Sequence, residues 1–142
     1  MNWFTAKKVL VPVDFSDESF AAVDAALELA DKGSDVTIVY VLQDLSPMEP
    51  SEVWQTIDPE SRIQNAAKSL RERLSDEQYK DLKVDVVIGD PGHKITEIAE
   101  RESTDLIVIP SHGRTGIKRM LIGSVAERVV RLAHCPVLVL RS

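Results

Sequence analysis

The chain is short of several things, and each shortage narrows its role. Its 142 residues include one cysteine, so no internal disulfide can form. Cys135, between His134 and Pro136 and ahead of an apolar run, reads as a buried, inert thiol. No apolar stretch approaches the ~20 residues that span a bilayer, and the opening MNWFTAKK lacks the apolar segment of a secretion signal. The expectation is a cytoplasmic protein with no membrane role. Positive charge is scarce too: 17 Lys and Arg against 23 Asp and Glu leave a net charge of -6 and an isoelectric point near 5.1. Nonspecific nucleic-acid binding needs a basic footprint and is not expected. There are no repeats, low-complexity tracts or interior linkers, so residues 1–142 are read as one domain. There is no Walker A sequence, no GxGxxG fingerprint and no zinc spacing. His93, His112 and His134 are scattered, and none is assigned to a metal. No Ser–His–acid set is recognisable.

What is present is an ordinary globular composition, 44% hydrophobic and 28% charged, with apolar periodicity that alternates between two kinds of segment. Residues 9–13, 36–42, 84–88, 106–109 and 137–140 are near-continuous apolar runs and read as five strands. Between them lie four helical patterns. Ser16 caps the first, with Asp17 and Glu18 in its first turn; Phe20, Val23, Leu27 and Ala30 share a face, and Gly33 suits a left-handed stop. Residues 43–57, with Pro47 and Pro50, read as a long surface loop whose Trp54 either covers a ligand or packs on the surface or a partner. Asp58 and Pro59 open the second helix, with Ile63, Ala66, Ala67, Leu70 and Leu74 on its apolar side. Gly89-Asp90-Pro91-Gly92 is a turn by chemistry, followed by a helix carrying Ile95, Ile98 and Ala99. Ala126, Val129, Val130 and Ala133 mark the last helix. Apolar strands joined by helices give an α/β fold, a doubly wound parallel sheet covered on both faces. Periodicity does not give the strand order; two orders are common for five strands.

In such sheets ligands bind beyond the carboxyl ends of the strands, where the order reverses. Two strand ends carry chemistry. After the first comes Asp14, a possible acceptor for ribose hydroxyls or a residue that holds its own loop. After the fourth comes IPSHGRTGIKRMLIGSVAERV, residues 109–129. A helix N-terminus with glycines before it suits a phosphate, because unpaired N–H groups and a partial positive charge converge there. Ser124 adds a hydroxyl, and Arg114, Lys118 and Arg119 add charge. The other reading stands beside this one. Gly113, Gly116 and Gly123 can be turn and cap residues, Ser124 a plain N-cap, and the cations a solvated loop face. His112 reaches either a phosphate or a loop partner. Pro110 has no N–H to offer an anion.

VLVPVDFS, GDPGHKITEIAE, DLIVIPSHGRTGIKRMLIGSVAERVV and HCPVLVL together resemble the universal stress protein family, almost end to end. The resemblance implies a Rossmann-like sheet of order 3-2-1-4-5. The nucleotide-binding branch of that family carries G-x2-G-x9-G-[S/T], which Gly113, Gly123 and Ser124 match, while Pro110 replaces the first glycine. The implied function is an ATP-binding regulatory protein of the stress response, with Mg accompanying the nucleotide. The implied site comprises Pro12, Val13 and Asp14 at the first strand end, Asp14 facing the ribose. Backbone at Val41 and Ile109 frames adenine, and Pro110, Gly113, Arg114, Gly123, Ser124 and Val125 lie at the phosphates. The implied assembly is a homodimer through Val137–Leu140, acting on an unidentified regulatory protein partner. If the amide at 110 is a contact, its loss costs ~1.5–3 kcal/mol, or roughly one to two orders of magnitude in affinity. Two further readings stay open: a nucleotide-free interaction protein of the same family, which Pro110 favours, and a slow ATPase, for which no general base is identifiable. An adenylating enzyme usually shows a glycine-rich loop after the first strand, and VDFSDES has no glycine.

Overall fold

The computed structural model describes residues 6–44, 58–113 and 121–141. Trp54, Arg114, Gly116, Lys118 and Arg119 lie outside them. Within them the order is β1 (Val9–Val13), α1 (Asp17–Leu29), β2 (Val36–Leu42), α2 (Pro59–Arg73), β3 (Lys83–Ile88), α3 (Pro91–Arg101), β4 (Leu106–Pro110), α4 (Ser124–Leu132) and β5 (Val137–Leu140), with short 3₁₀ turns at Gly33–Asp35 and Glu77–Tyr79. The five strands form one sheet of order β3-β2-β1-β4-β5. Every neighbouring pair is parallel, as the resemblance implied.

Successive side chains on a strand point to opposite faces, and the core divides accordingly. Val9, Val11 and Val13 join Ile38, Phe20, Val23 and Leu70 on the side covered by α1 and α2. Leu10, Val39, Ile107 and Ile109 join Ile95, Ile98, Ala126 and Val129 on the side covered by α3 and α4. All of β1 is buried, because it lies in the middle of the sheet with helices on both faces.

Local chemistry sets the helix starts. Ser16, Asp58 and Asp90 cap α1, α2 and α3, each side chain accepting the N–H of the third helical residue, and Pro59 and Pro91 hold first-turn positions that need no donor. The Gly89–Gly92 turn is thus the start of α3. Three expectations shift. Gly33 is not a left-handed stop: α1 ends at Ala30, with φ -85°, because Ala30 leaves the helical face to bridge to Ala6. Gly33 opens the following 3₁₀ turn, where an added Cβ would lie 3.3 Å from Asp81 Cβ. Val130 is not on the buried face of α4. Ala126 and Val129 hold that face, and the next residue turns about 100° away, leaving Val130 48% exposed. The third and fourth strands each gain one residue, Lys83 and Pro110.

Cys135 is half-buried against the α3–α4 side of the core. Burial pushes its thiol pKa up, and the Asp105 carboxylate adds to the shift. The thiolate is the reactive form, so alkylation at neutral pH is expected to be slow in the folded protein and to accelerate on unfolding. Mass-spectrometric labelling with iodoacetamide across a guanidinium series checks this, and equal rates folded and unfolded would contradict it.

The end of α3 carries a residue that its backbone does not favour. Thr104 N–H donates to Ala99 O at 2.9 Å and Ser103 N–H to Glu100 O at 3.2 Å, the paired bonds of a Schellman stop. Ser103 sits at its left-handed position with φ 53°, where glycine pays no steric penalty. Relief of that strain, offset by the greater freedom of glycine when unfolded, gives Ser103→Gly an expected gain of about 0.5–1 kcal/mol. The melting temperature should rise by about 1–4 °C; a fall would show that the serine side chain is needed there.

Candidate functional site

The site begins with a gap in the sheet. Backbone donors alternate sides along a strand. On β4, Ile107 N–H donates to Pro136 O at 3.0 Å and Ser111 N–H to Leu140 O at 2.7 Å, both toward β5, so position 110 faces β1. On β1, Lys8 O accepts from Leu106 N–H at 3.3 Å, so position 12 faces β4 by the same alternation. Both positions are proline and have no N–H. The rungs that would continue the ladder therefore lack their donors, and the β1–β4 register stops at Leu10↔Ile107. β1 stays paired with β2 as far as Val13↔Tyr40, and β4 with β5 as far as Pro110↔Leu140. The sheet parts where its order reverses. Proline at 110 is accommodated within the strand: β4 runs through it, and Phe15 and Ser103 are the non-glycine residues with positive φ among those described.

One side of the parting is the β1–α1 turn. Asp14 Oδ1 accepts from Ser16 N–H at 3.1 Å and from Ser16 Oγ–H at 2.5 Å. Ser16 Oγ in turn accepts from Ser19 N–H at 3.1 Å and caps α1. The turn closes through Phe15 at φ 65°, an unusual conformation for a bulky residue. Its ring is held edge-on by Phe20 and Tyr40, with centroids 6.1 and 5.1 Å away. Asp14 thus does hold its own loop.

The other side is the loop after β4. Gly123 N–H donates to Ser111 O at 2.5 Å and ties the loop at its base. The two glycines sit where side chains do not fit. A Cβ on Gly123 would lie 3.0 Å from Ser111 O, 3.5 Å from His112 Cα and 3.9 Å from Gly113 N; a Cβ on Gly113 would overlap Asp14 Oδ2. Asp14, Gly113 and Gly123 are therefore contiguous. Ser111 is buried, and its Oγ lies 3.2 Å from His112 Nδ1.

Gly123 is also the N-cap of α4, which corrects the reading of Ser124 as a cap. Ser124 is the first helical residue and is exposed, because the chain is still extended at Gly123, with φ -73° and ψ 164°. Of the four described helices, α4 alone starts from a residue with no capping side chain. Its first-turn N–H groups, those of Ser124, Val125 and Ala126, have no side-chain acceptor from the cap. They sit at the positive end of the helix dipole. Helix α4 is fixed against α3 by Arg128 Nη1 to Asp90 Oδ2 at 2.9 Å and by close approach at Gly92, where a Cβ would lie 3.0 Å from Arg128 Cβ.

The expected site residues fall into place unevenly. Pro12, Val13, Ile109 and Pro110 are buried beside the parting, Asp14 is half-buried, and Gly113, Ser124 and Val125 are exposed around it. Val41 and Ile109 lie on the same face of the sheet, against the α3–α4 core. Arg114 lies outside the described residues. The use of the Gly123 amide by Ser111 and the role of Pro12 escaped the sequence reading. The parity of the two prolines was the signal for the second. Among the described residues, no group of three His, Cys, Asp or Glu is placed to hold a metal, and no helix is long and apolar enough to cross a membrane.

Comparison with known proteins agrees with this architecture. The chain is 38% identical over 141 residues to universal stress protein MJ0531 of Methanocaldococcus jannaschii, covering 95% of this chain and 82% of that one. It is 32% identical to universal stress protein YxiE of Bacillus subtilis, over 94% of this chain and 98% of that one. The structure of universal stress protein UspA from Lactobacillus plantarum superimposes with a TM-score of 0.75 at 28% identity, covering 99% and 100% of the two chains. The same fold occurs in a universal stress protein solved in complex with cAMP, at a TM-score of 0.62 and 24% identity over 96% and 97% of the two chains. It occurs again in an Arabidopsis thaliana family member with AMP bound, at 0.59 and 19% over 95% and 91%. The model of the universal stress protein family matches residues 5–141, and the chain belongs to that family.

Proposed function

We propose that this chain is a regulatory protein of the stress response that binds an adenine nucleotide, ATP with its Mg, and acts as a cytoplasmic homodimer on a protein partner. The observation that carries the reading is the convergence of Asp14, Gly113 and Gly123 at the parting of β1 and β4, beside a helix N-terminus without a side-chain cap. The fit to a nucleotide is chemical. Asp14 offers a carboxylate to ribose hydroxyls. Backbone at the strand ends, at Pro12 and Val13 of β1, Val41 of β2 and Ile109 of β4, frames adenine, with Val41 and Ile109 on the same face of the sheet. The Ser124 and Val125 amides and the Ser124 hydroxyl offer donors to phosphate oxygens, and Arg114 brings positive charge in sequence. Mg enters with the phosphates. The AMP and cAMP held by other proteins of this fold support the ligand class.

The second reading, a nucleotide-free interaction protein, is favoured by Pro110, whose missing N–H lies on the side of β4 that faces the parting. Calorimetric titration of Mg-ATP into nucleotide-stripped protein separates the two. The native chain is expected to bind with low-micromolar affinity. Gly123→Val, which forces a side chain onto Ser111 O, should abolish binding. Pro110→Gly, which restores one donor facing the cleft, should tighten it by up to roughly one to two orders of magnitude. A silent native chain beside a binding Pro110→Gly would establish the second reading. Silence in both would remove the nucleotide altogether.

The dimer proposal rests on β5. It is an edge strand, pairing within the sheet with β4, and Leu138, Val130 and Leu132 are exposed apolar residues on or near it. Such an edge favours pairing with a second copy. Leu138→Lys should shift the protein from dimer to monomer in sedimentation-velocity runs. An unchanged dimer would move the interface elsewhere.

A further inference from the structure

The glycine pattern treats Gly113 and Gly123 alike, as places where backbone approaches phosphate. Their surroundings differ. The space a side chain would need at Gly123 is filled by the backbone of its own loop, at Ser111 O and His112 Cα. The space at Gly113 is filled by the Asp14 carboxylate, with Oδ2 in overlap and Cγ at 3.6 Å. Backbone strain is not the reason for glycine here, because Gly113 does not have positive φ.

A carboxylate is usually the mobile end of a side chain and can swing aside. This one is held. Its other oxygen takes both the amide and the hydroxyl of Ser16, and that hydroxyl is the acceptor that caps α1. Hydrogen bonds to a charged acceptor are stronger than neutral ones. A methyl group at position 113 therefore either breaks the Asp14–Ser16 pair or pushes the β4 loop away from the β1–α1 turn. Both outcomes disturb the contact between Gly113 and the Asp14 carboxylate.

We infer that Gly113 is a positioning residue for the sugar end of the ligand: it leaves Asp14 the space to hold the orientation that receives ribose hydroxyls, while phosphate binding falls to the Gly123–Ser124 end. This rests on the nucleotide reading above and divides the site into two independently removable halves.

The test is a double-mutant cycle of the native chain, Gly113→Ala, Asp14→Ala and the double variant, read two ways. In calorimetry with AMP, ATP and inorganic tripolyphosphate as probes, Gly113→Ala should weaken AMP and ATP by the same factor, about 10-fold or more. It should leave tripolyphosphate unchanged and add nothing in the Asp14→Ala background. A loss that grows with phosphate number, or that persists without Asp14, would overturn the inference. Thermal melts of the same four proteins need no ligand. Gly113→Ala should lower the melting temperature in the native background and lower it less once Asp14 is alanine. Additive losses would overturn the inference. If the native chain binds neither nucleotide, the nucleotide reading and the ribose role fail together, and the melts alone still decide whether Gly113 acts through Asp14.

Discussion

The parting of β1 from β4 is the constraint on which the rest of the structure depends. A parallel sheet gains a hydrogen bond at each rung, and nothing in the apolar character of these two strands would stop the ladder early. Two prolines stop it. Pro12 and Pro110 stand on facing sides of one seam, so the donors are removed from both strands while each remains paired to its outer neighbour. Each forgone rung is worth about 0.5–1.5 kcal/mol, a modest loss in a sheet buried on both faces. In return the seam opens at the carboxyl edge, at the point where the chain on one side turns into α1 and on the other into the loop before α4. Everything placed at the site, from Asp14 to Gly123, is placed relative to that opening.

The helices on the two sides of the opening are begun by opposite means. Helix α1 is closed off: Ser16 caps it, Asp14 holds Ser16, and the strained Phe15 is kept in place by aromatic packing. Helix α4 is left open at Gly123 and is held from a distance, by the Arg128–Asp90 pair and the tight approach at Gly92. That surface ion pair is individually weak, and the close packing at Gly92 does more to fix the helix axis. A helix start capped by a side chain beside one whose cap residue has none gives the opening an electrical asymmetry, with the acidic group on one bank and the α4 amide donors on the other.

Much of this was legible in the residues. The strands lie where the apolar runs lie, because strands covered on both faces have no reason to alternate. The caps Ser16 and Asp58 are readable for the same reason that they work, a short polar side chain ahead of an apolar helix face, whereas Asp90 reads only as part of a turn and the structure makes it the cap of α3. The strand order was not readable from periodicity, which is blind to which strand neighbours which; the family resemblance supplied it. The misreadings share a cause. Gly33 and Ser124 are read by residue type and Val130 by helical spacing, whereas their roles are set by contacts distant in sequence: the Ala6–Ala30 bridge, the Gly123–Ser111 bond and the packing of α4 on α3. Asp14 was read as either a loop-holder or a ligand acceptor. The loop-holding role is carried by Oδ1, which accepts from the amide and the hydroxyl of Ser16.

All five strands run the same way, so the chain starts up the sheet from one edge and finishes at the other. β5 ends at the edge that carries the opening, with β4 between it and the parting, while β1 rises from the far edge. Five residues of strand separate those edges by about 17 Å. An anchor, label or fused domain attached after Leu140 would therefore emerge on the same rim as the opening, where it can crowd whatever enters. One attached ahead of Ala6 would hang from the opposite rim. The direction of the sheet thus makes the two ends of the domain unequal as points of attachment.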